Sequence, residues 1–191
     1  MRYLGRALLS LVFIIGVGMV GEYTKELSKT PYPIMEILAD REGSNPKRYK
    51  LPGEQFDTIG RGHYIDNEDA YTQLTTSLGI KDKENLLPEE IEKLFAHDVN
   101  LRWQDMNKKY PTTKPLIKKI MLDERFRWSP GGFDKAYGKE LSENDIDGLQ
   151  KKLDIEMNRK EYSKLPGVKI RLLDIKRELQ MIKEGKSIWQ D

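Results

Sequence analysis

The sequence predicts an α+β fold that is predominantly helical, with a small β-hairpin lobe and an apolar helix at the N-terminus. Apolar residues recur at helical spacing over most of the chain from Asn67 onward. Segment 43–66 is interrupted by prolines and glycines, a pattern that favours turns and short strands. An uncharged apolar run occupies positions 7–21. Together these observations predict one mostly helical domain with its irregular β part near the N-terminus.

Length and composition limit the classes of protein to consider. The chain has 191 residues, which suggests one domain with an appendage rather than two full domains. The net charge is only +2, which does not indicate a nucleic-acid partner. The absence of cysteine excludes disulfides and cysteine-based metal sites or nucleophiles, and two histidines are too few for a histidine metal site. We therefore expect a monomer without metal, cofactor or nucleic acid.

The N-terminal segment has the layout of an export signal. Arg2 and Arg6 precede the apolar run and Glu22 follows it. The positive flank should stay in the cytoplasm, so the rest of the chain is expected to be exported. The run is shorter than the ~20 residues of a permanent membrane span, so cleavage, retention and release all stay open. We expect a signal-anchor over 1–23 and a linker over 24–33.

The remaining chain, 34–191, is expected to form the folded domain. A short helix is predicted over Ile34–Asp40, where apolar residues share one face. Pro88 followed by two acidic residues is typical of a helix start, because Pro tolerates the first turn and acids suit the positive end of the helix. The remaining predicted helices are 114–126, 142–158, which begins with a capping box at Ser142–Asp145, and 167–183.

The segment most informative about chemistry is 40–65. Glu42 follows the first helix directly and precedes Gly43. A carboxyl group at such a position can be partly desolvated by core side chains, which suits a general acid. Downstream, the run Thr58–His63 (TIGRGH) predicts a tight strand turn that brings a hydroxyl, a guanidinium and an imidazole together.

These residues resemble the phage T4-type lysozymes, glycoside hydrolase family 24. Members carry Glu-Gly at the end of their first helix, then Tyr-Lys, then Thr-Ile-Gly-x-Gly-His on a β-hairpin. The matching positions are Glu42-Gly43, Tyr49-Lys50 and Thr58–His63, and weaker similarity covers Phe126–Phe133 and Leu165–Val168 followed by Arg171 and Glu178. The resemblance implies a lysozyme-like catalytic domain over 34–191 that cuts peptidoglycan glycan strands as an N-acetylmuramidase, an endolysin. It also implies that Glu42 is the catalytic acid and that Thr58 holds the attacking water.

The chain departs from the family at the second carboxylate. The family spacing places an aspartate at Leu51, counted from Glu42, or at Pro52, counted from Thr58, and neither residue is acidic. Asp57 and Glu54 lie in the same loop, and Asp57 is favoured as the replacement because a bulge easily shifts the alternation along a hairpin. We also expect Glu54, Arg61 and His63 to line the substrate site, with His63 as a hydrogen-bonding group rather than a proton shuttle.

Two other functions stay open at this point. A lytic transglycosylase needs only one catalytic acid, and the missing aspartate is compatible with that chemistry. A lysozyme-fold protein without activity would bind glycan or serve a membrane complex. For the lead hypothesis, we expect peptidoglycan as the substrate and a location at the inner membrane facing the periplasm, or in the periplasm after release.

Overall fold

The computed structural model describes residues 34–50, 53–160, 162 and 165–186. The predicted signal-anchor and linker, and the positions Leu51 and Pro52, lie outside the described residues. The described part contains seven α-helices and one three-stranded antiparallel sheet, which confirms a predominantly helical α+β fold. None of these helices is long and apolar enough to cross a membrane.

The elements follow one another with short connections. In chain order they are α1 (Ile34–Glu42), β1 (Asn45–Tyr49), β2 (Asp57–Gly60), β3 (His63–Ile65), α2 (Glu68–Ser77), α3 (Pro88–Lys109), α4 (Pro115–Arg127), α5 (Pro130–Glu143), α6 (Ile146–Met157) and α7 (Pro166–Lys183).

The sheet is a meander in the order β1-β2-β3. Thr58 pairs with Tyr64 and Ile59 with His63, so the turn between β2 and β3 consists of Gly60, Arg61 and Gly62. Both glycines have positive φ, +65° and +82°, a conformation that residues with a Cβ rarely adopt. The Gly-x-Gly spacing is therefore required by the turn itself.

One apolar cluster joins the sheet to the start of α3. It contains Ile59 and Ile65 from the strands, Tyr71 from α2, Ile91 and Leu94 from α3, and Ile80 and Leu86 from the connection. Glu90 lies in the first turn of α3. Its carboxylate accepts hydrogen bonds from the backbone N–H groups of Leu87, at 2.8 Å, and Lys81, at 3.2 Å. The predicted helix start at Pro88 is confirmed, and it anchors the sheet to the helical part.

The predicted helix 142–158 is wrong at its beginning. Ser142 lies in the last turn of α5, where its hydroxyl donates to the Gly138 carbonyl at 2.9 Å. Asn144 then takes a left-handed conformation (φ 54°), and Asp145 caps α6 by accepting from Gly148 N–H at 2.9 Å. The Asn144 side chain holds this break, since it accepts from Lys114 N–H and donates to the carbonyl of Thr112. The sequence prediction also missed α5.

The last helix matches its prediction and packs on α4 and α6. Leu172, Ile175 and Leu179 recur at helical spacing and are fully buried. Arg171, which directly precedes Leu172, lies toward α1 and α4, because its guanidinium contacts Glu42 and Asp123. This helix therefore supplies a cation to the end of α1.

Candidate functional site

The end of α1 is fixed by a residue of the hairpin turn. Arg61 donates from Nη1 to the carbonyl oxygens of Ala39 at 2.7 Å and Gly43 at 2.9 Å. The last carbonyls of a helix have no partner within the helix, so a guanidinium there both caps the helix and meets its negative end. Arg61 also donates from Nε and Nη2 to Glu92 on α3, at 2.9 and 2.6 Å. Its contacts are thus structural; binding of substrate by Arg61 stays a prediction.

Glu42 is the last residue of α1 and is partly exposed, at 21% of its side chain. Its Oε1 atom lies 2.8 Å from Arg171 Nη2. On the other side, a Cβ built at Gly62 would lie 3.6 Å from Glu42 Oε2. The predicted acid therefore lies where α1, α7 and the hairpin turn meet, with one oxygen held by a guanidinium and the other beside a glycine.

A buried carboxylate from α4 completes this arrangement. Asp123 is 0% exposed and forms ion pairs with Arg41 of α1 and with Arg171 of α7, the latter at 2.6 Å. Arg171 also donates to the Asp123 carbonyl oxygen at 2.8 Å, and Arg41 reaches Asp174 at 2.9 Å. Three helices are thus joined by ion pairs around the base of Glu42.

Thr58 lies on the face of the sheet opposite to the core. Residues paired directly across antiparallel strands have side chains on the same face, so Tyr49, Thr58 and Tyr64 share one face. Burial raises the pKa of the Tyr49 hydroxyl, and the negative charges of Glu54 and Glu42 raise it further. The Thr58 hydroxyl has no hydrogen-bond partner within the described part of the chain.

Asp57 lies on the opposite face of β2. The register from Asp57 to Ile59 is regular, and the irregularity in the sheet lies between β1 and β2. The Asp57 carboxylate accepts from Arg48 Nε at 2.7 Å, and Arg48 also contacts Glu68 and Glu84. Because alternate residues of a strand point to opposite faces, Asp57 does not share the face of Thr58. A catalytic role for Asp57 stays a prediction, as does one for Glu54.

His63 is bound to the long helix rather than to Glu42. Its Nδ1 atom lies 2.9 and 3.0 Å from the two carboxylate oxygens of Asp98 on α3, and its ring contacts Tyr71. These contacts match the expected hydrogen-bonding role of His63. The neighbouring His97 has a lowered pKa, mainly through burial, against the effect of Asp98. Within the described residues, no group of three or more acidic or histidine side chains is arranged to hold a metal ion.

The structure places Glu42 beside Gly62 of the hairpin turn and adds partners that the sequence analysis missed. Asp123 was one of many acids in a helical run, and no local pattern distinguishes it. Arg171 was noted only as part of the C-terminal similarity. Asp98 contacts His63, 35 residues away in the sequence. Separations of this length leave no periodic signal in a single sequence.

No protein-family model matches this chain, and no curated protein matches it. The functional interpretation therefore rests on the residues themselves and on their geometry.

Arg61→Gln is expected to reduce the free energy of unfolding by about 2–3 kcal/mol, because the charged hydrogen bonds to two helix-end carbonyls are lost and Glu92 loses its cation. Urea unfolding followed by circular dichroism measures this loss. Glu92→Gln is the matched control, since it removes only the carboxylate partner and should cost less. Equal losses in the two variants would show that the contacts to Ala39 and Gly43 contribute nothing to stability.

Proposed function

We propose that this chain is a peptidoglycan glycan-strand hydrolase, a muramidase that lyses the bacterial cell wall as an endolysin, with Glu42 as its general acid. The observation that supports it most is the placement of Glu42 at the end of α1, held by Arg171 and adjacent to Gly62. This is the position that the resemblance to phage T4-type lysozymes predicts for the catalytic acid. A partly exposed carboxyl group with one oxygen held in place can present the other to a glycosidic oxygen.

The face of the sheet beside Glu42 suits the second half of the reaction. An inverting glycosidase needs a second carboxylate, about 6.5–9.5 Å from the acid, with water between the two. Glu54 is the candidate for this role, because its charge and that of Glu42 both raise the pKa of Tyr49, and Tyr49 pairs with Thr58 across the strands. In this proposal Thr58 positions the water through its hydroxyl and Glu54 accepts the proton. Asp57 is the alternative base, after release from Arg48.

A second candidate function is lytic transglycosylation. One specific observation favours it, since Asp57 is engaged by Arg48 on the face opposite to Thr58. If neither Asp57 nor Glu54 activates water, Glu42 acts alone. It then protonates the leaving oxygen and afterwards takes the proton of the sugar's own C6 hydroxyl, which closes a 1,6-anhydro ring. The two functions differ in their products, which carry reducing ends in one case and anhydro ends in the other.

We further propose that residues 1–23 direct export and hold the enzyme at the inner membrane, facing the periplasm, before any release. The support is the sequence layout of Arg2, Arg6 and the apolar run. In fractionated cells that express the full chain, the protein should pellet with the inner membrane or appear in the periplasm. An intact N-terminus on a protein found only in the cytoplasm would contradict this proposal.

Glu42→Gln is expected to reduce the rate of wall lysis by at least about a hundredfold, because the leaving oxygen loses its proton donor. The measurement is the decrease in turbidity of a purified peptidoglycan suspension. Glu36→Gln, an exposed acid on the same helix, should retain the wild-type rate. Thermal unfolding of both variants checks that the fold is kept. A Glu42→Gln variant that lyses walls at the wild-type rate would remove the glycosidase assignment.

Glu54→Gln is expected to reduce hydrolysis by about a hundredfold or more, and Asp57→Asn by much less, since Asp57 lies on the face of β2 opposite to Thr58 and is paired with Arg48. Mass spectrometry of digested peptidoglycan reports both the rate and the kind of end. Wild-type rates with anhydro ends in both single variants and in the double variant would replace the hydrolase by the transglycosylase. A larger loss in Asp57→Asn would return the role of base to Asp57.

A further inference from the structure

A groove of about 290 Å³ lies between the second half of α3 and the end of α4. It is lined by Leu101, Arg102, Asp105, Arg125 and Trp128. None of these residues contributes to the proposed acid, base or water-binding group. The groove combines two guanidinium groups, one carboxylate, an indole and an aliphatic side chain, which is the mixture of apolar wall and convergent polar groups that is typical of small-molecule sites.

Arg102 is a partly buried cation without an anionic partner in the described structure. Its guanidinium lies over the Phe126 ring, 4.2 Å from the centroid, and donates to the backbone carbonyl of Asp98 at 3.2 Å. No carboxylate of a described residue lies within ion-pair distance of it. Burial lowers the pKa of Arg102 below the ordinary arginine value, against the more distant charges of Asp98 and Glu42. Buried charges in proteins are normally paired, so an anion from outside would complete the surroundings of Arg102.

Arg125 adds to the positive charge of the groove. It is 3% exposed, pairs with Asp105 at 3.1 Å, and has a buried Nε atom without a hydrogen-bond partner in the described part of the chain. Asp105 is shared, because Lys109 also lies 3.2 Å from its carboxylate. Asp105 is therefore shared by Arg125 and Lys109, and no carboxylate of the described residues pairs with Arg102.

The other walls are apolar and well supported. The Trp128 indole N–H donates to the buried Glu124 at 2.7 Å, and the guanidinium of Arg159 lies 5.4 Å from the indole ring. The indole is thus held in one orientation without any ligand. Leu101 presents an aliphatic side chain that is 52% exposed. A flat aromatic wall and an exposed leucine suit the apolar part of a small molecule.

We propose that this groove binds a carboxylate carried on a small apolar body, with the carboxylate paired to Arg102 and the body against Leu101 and Trp128. Two sources have this chemistry: the terminal carboxylate of a short peptide, and a free small aromatic acid. A planar guanidinium favours a carboxylate because two parallel N–H donors match its two oxygens. The site is independent of the glycosidase proposal, since no residue is shared between them.

The test uses the full-length chain and NMR titration of its tryptophan indole N–H signals, with Trp128 assigned by Trp128→Phe. The probes are N-acetyl-alanyl-alanine and 3-phenylpropionate, each compared with its carboxamide, and acetate as an anion without an apolar body. We expect at least one acid to shift the Trp128 signal saturably, with its amide at least tenfold weaker. Tighter binding of the dipeptide would assign the carboxylate to a peptide end, and tighter binding of phenylpropionate to a free acid.

Two variants locate the contacts. Arg102→Gln should weaken the favoured acid at least tenfold, whereas Lys108→Gln, which removes an exposed cation of the same helix, should not. Leu101→Ser is expected to weaken binding without unfolding, because its side chain is already exposed. Equal affinity for acid and amide, equal losses in Arg102→Gln and Lys108→Gln, unchanged binding in Leu101→Ser, or acetate binding as tightly as the larger acids would each overturn the proposal. If Arg102→Gln does not fold, the comparison of acid with amide and the Leu101→Ser variant decide whether the proposal holds.

Discussion

The fully buried carboxylate of Asp123 is the constraint on which the geometry of the site depends. A charge without exposure is tolerated only when cations and hydrogen bonds replace water around it. Arg41 and Arg171 supply those cations, and each comes from a different helix. Because Arg171 also binds Glu42, the requirement to neutralise Asp123 fixes the guanidinium that holds the proposed acid. Removal of one partner from such a buried ion pair typically lowers the free energy of unfolding by about 3–5 kcal/mol.

Much of the fold follows from local patterns. The helices α3, α4 and α7 were predicted because apolar residues repeat at helical spacing over more than ten residues, and Pro88 marks the start of α3. The helix α5 was missed because Pro130, Gly131 and Gly132 suggest a loop, although Pro at the first helical position and a Ser129 cap permit a helix start there. The break at Asn144 was missed for a different reason. It is held by hydrogen bonds to the segment around Thr112 and Lys114, and no local rule contains those partners.

The candidate site was predictable to the extent that its residues are adjacent in sequence. Glu42-Gly43 and the run from Thr58 to His63 form a compact pattern, and both lie at the site. The relation between Asp57 and Thr58 was not predictable, because a bulge in β2 would have placed them on one face and the regular register places them on two. The contacts of Arg48 with Asp57 and of Asp98 with His63 join residues of different elements. They are therefore visible only in the folded chain.

The short hairpin turn has two structural roles: it reverses the chain between β2 and β3, and it places Arg61 at the end of α1. Positive φ at Gly60 and Gly62 turns the chain within three residues, and Arg61 between them reaches back to the end of α1. Any side chain at position 62 would add a Cβ beside Glu42 Oε2 in a conformation that L-residues rarely adopt. The turn thus brings a guanidinium to the helix end and leaves the carboxyl oxygen beside backbone alone. The face of the strands that carries Ile59 and His63 attaches the sheet to α3, while Thr58, which is 8% exposed, lies on the opposite face.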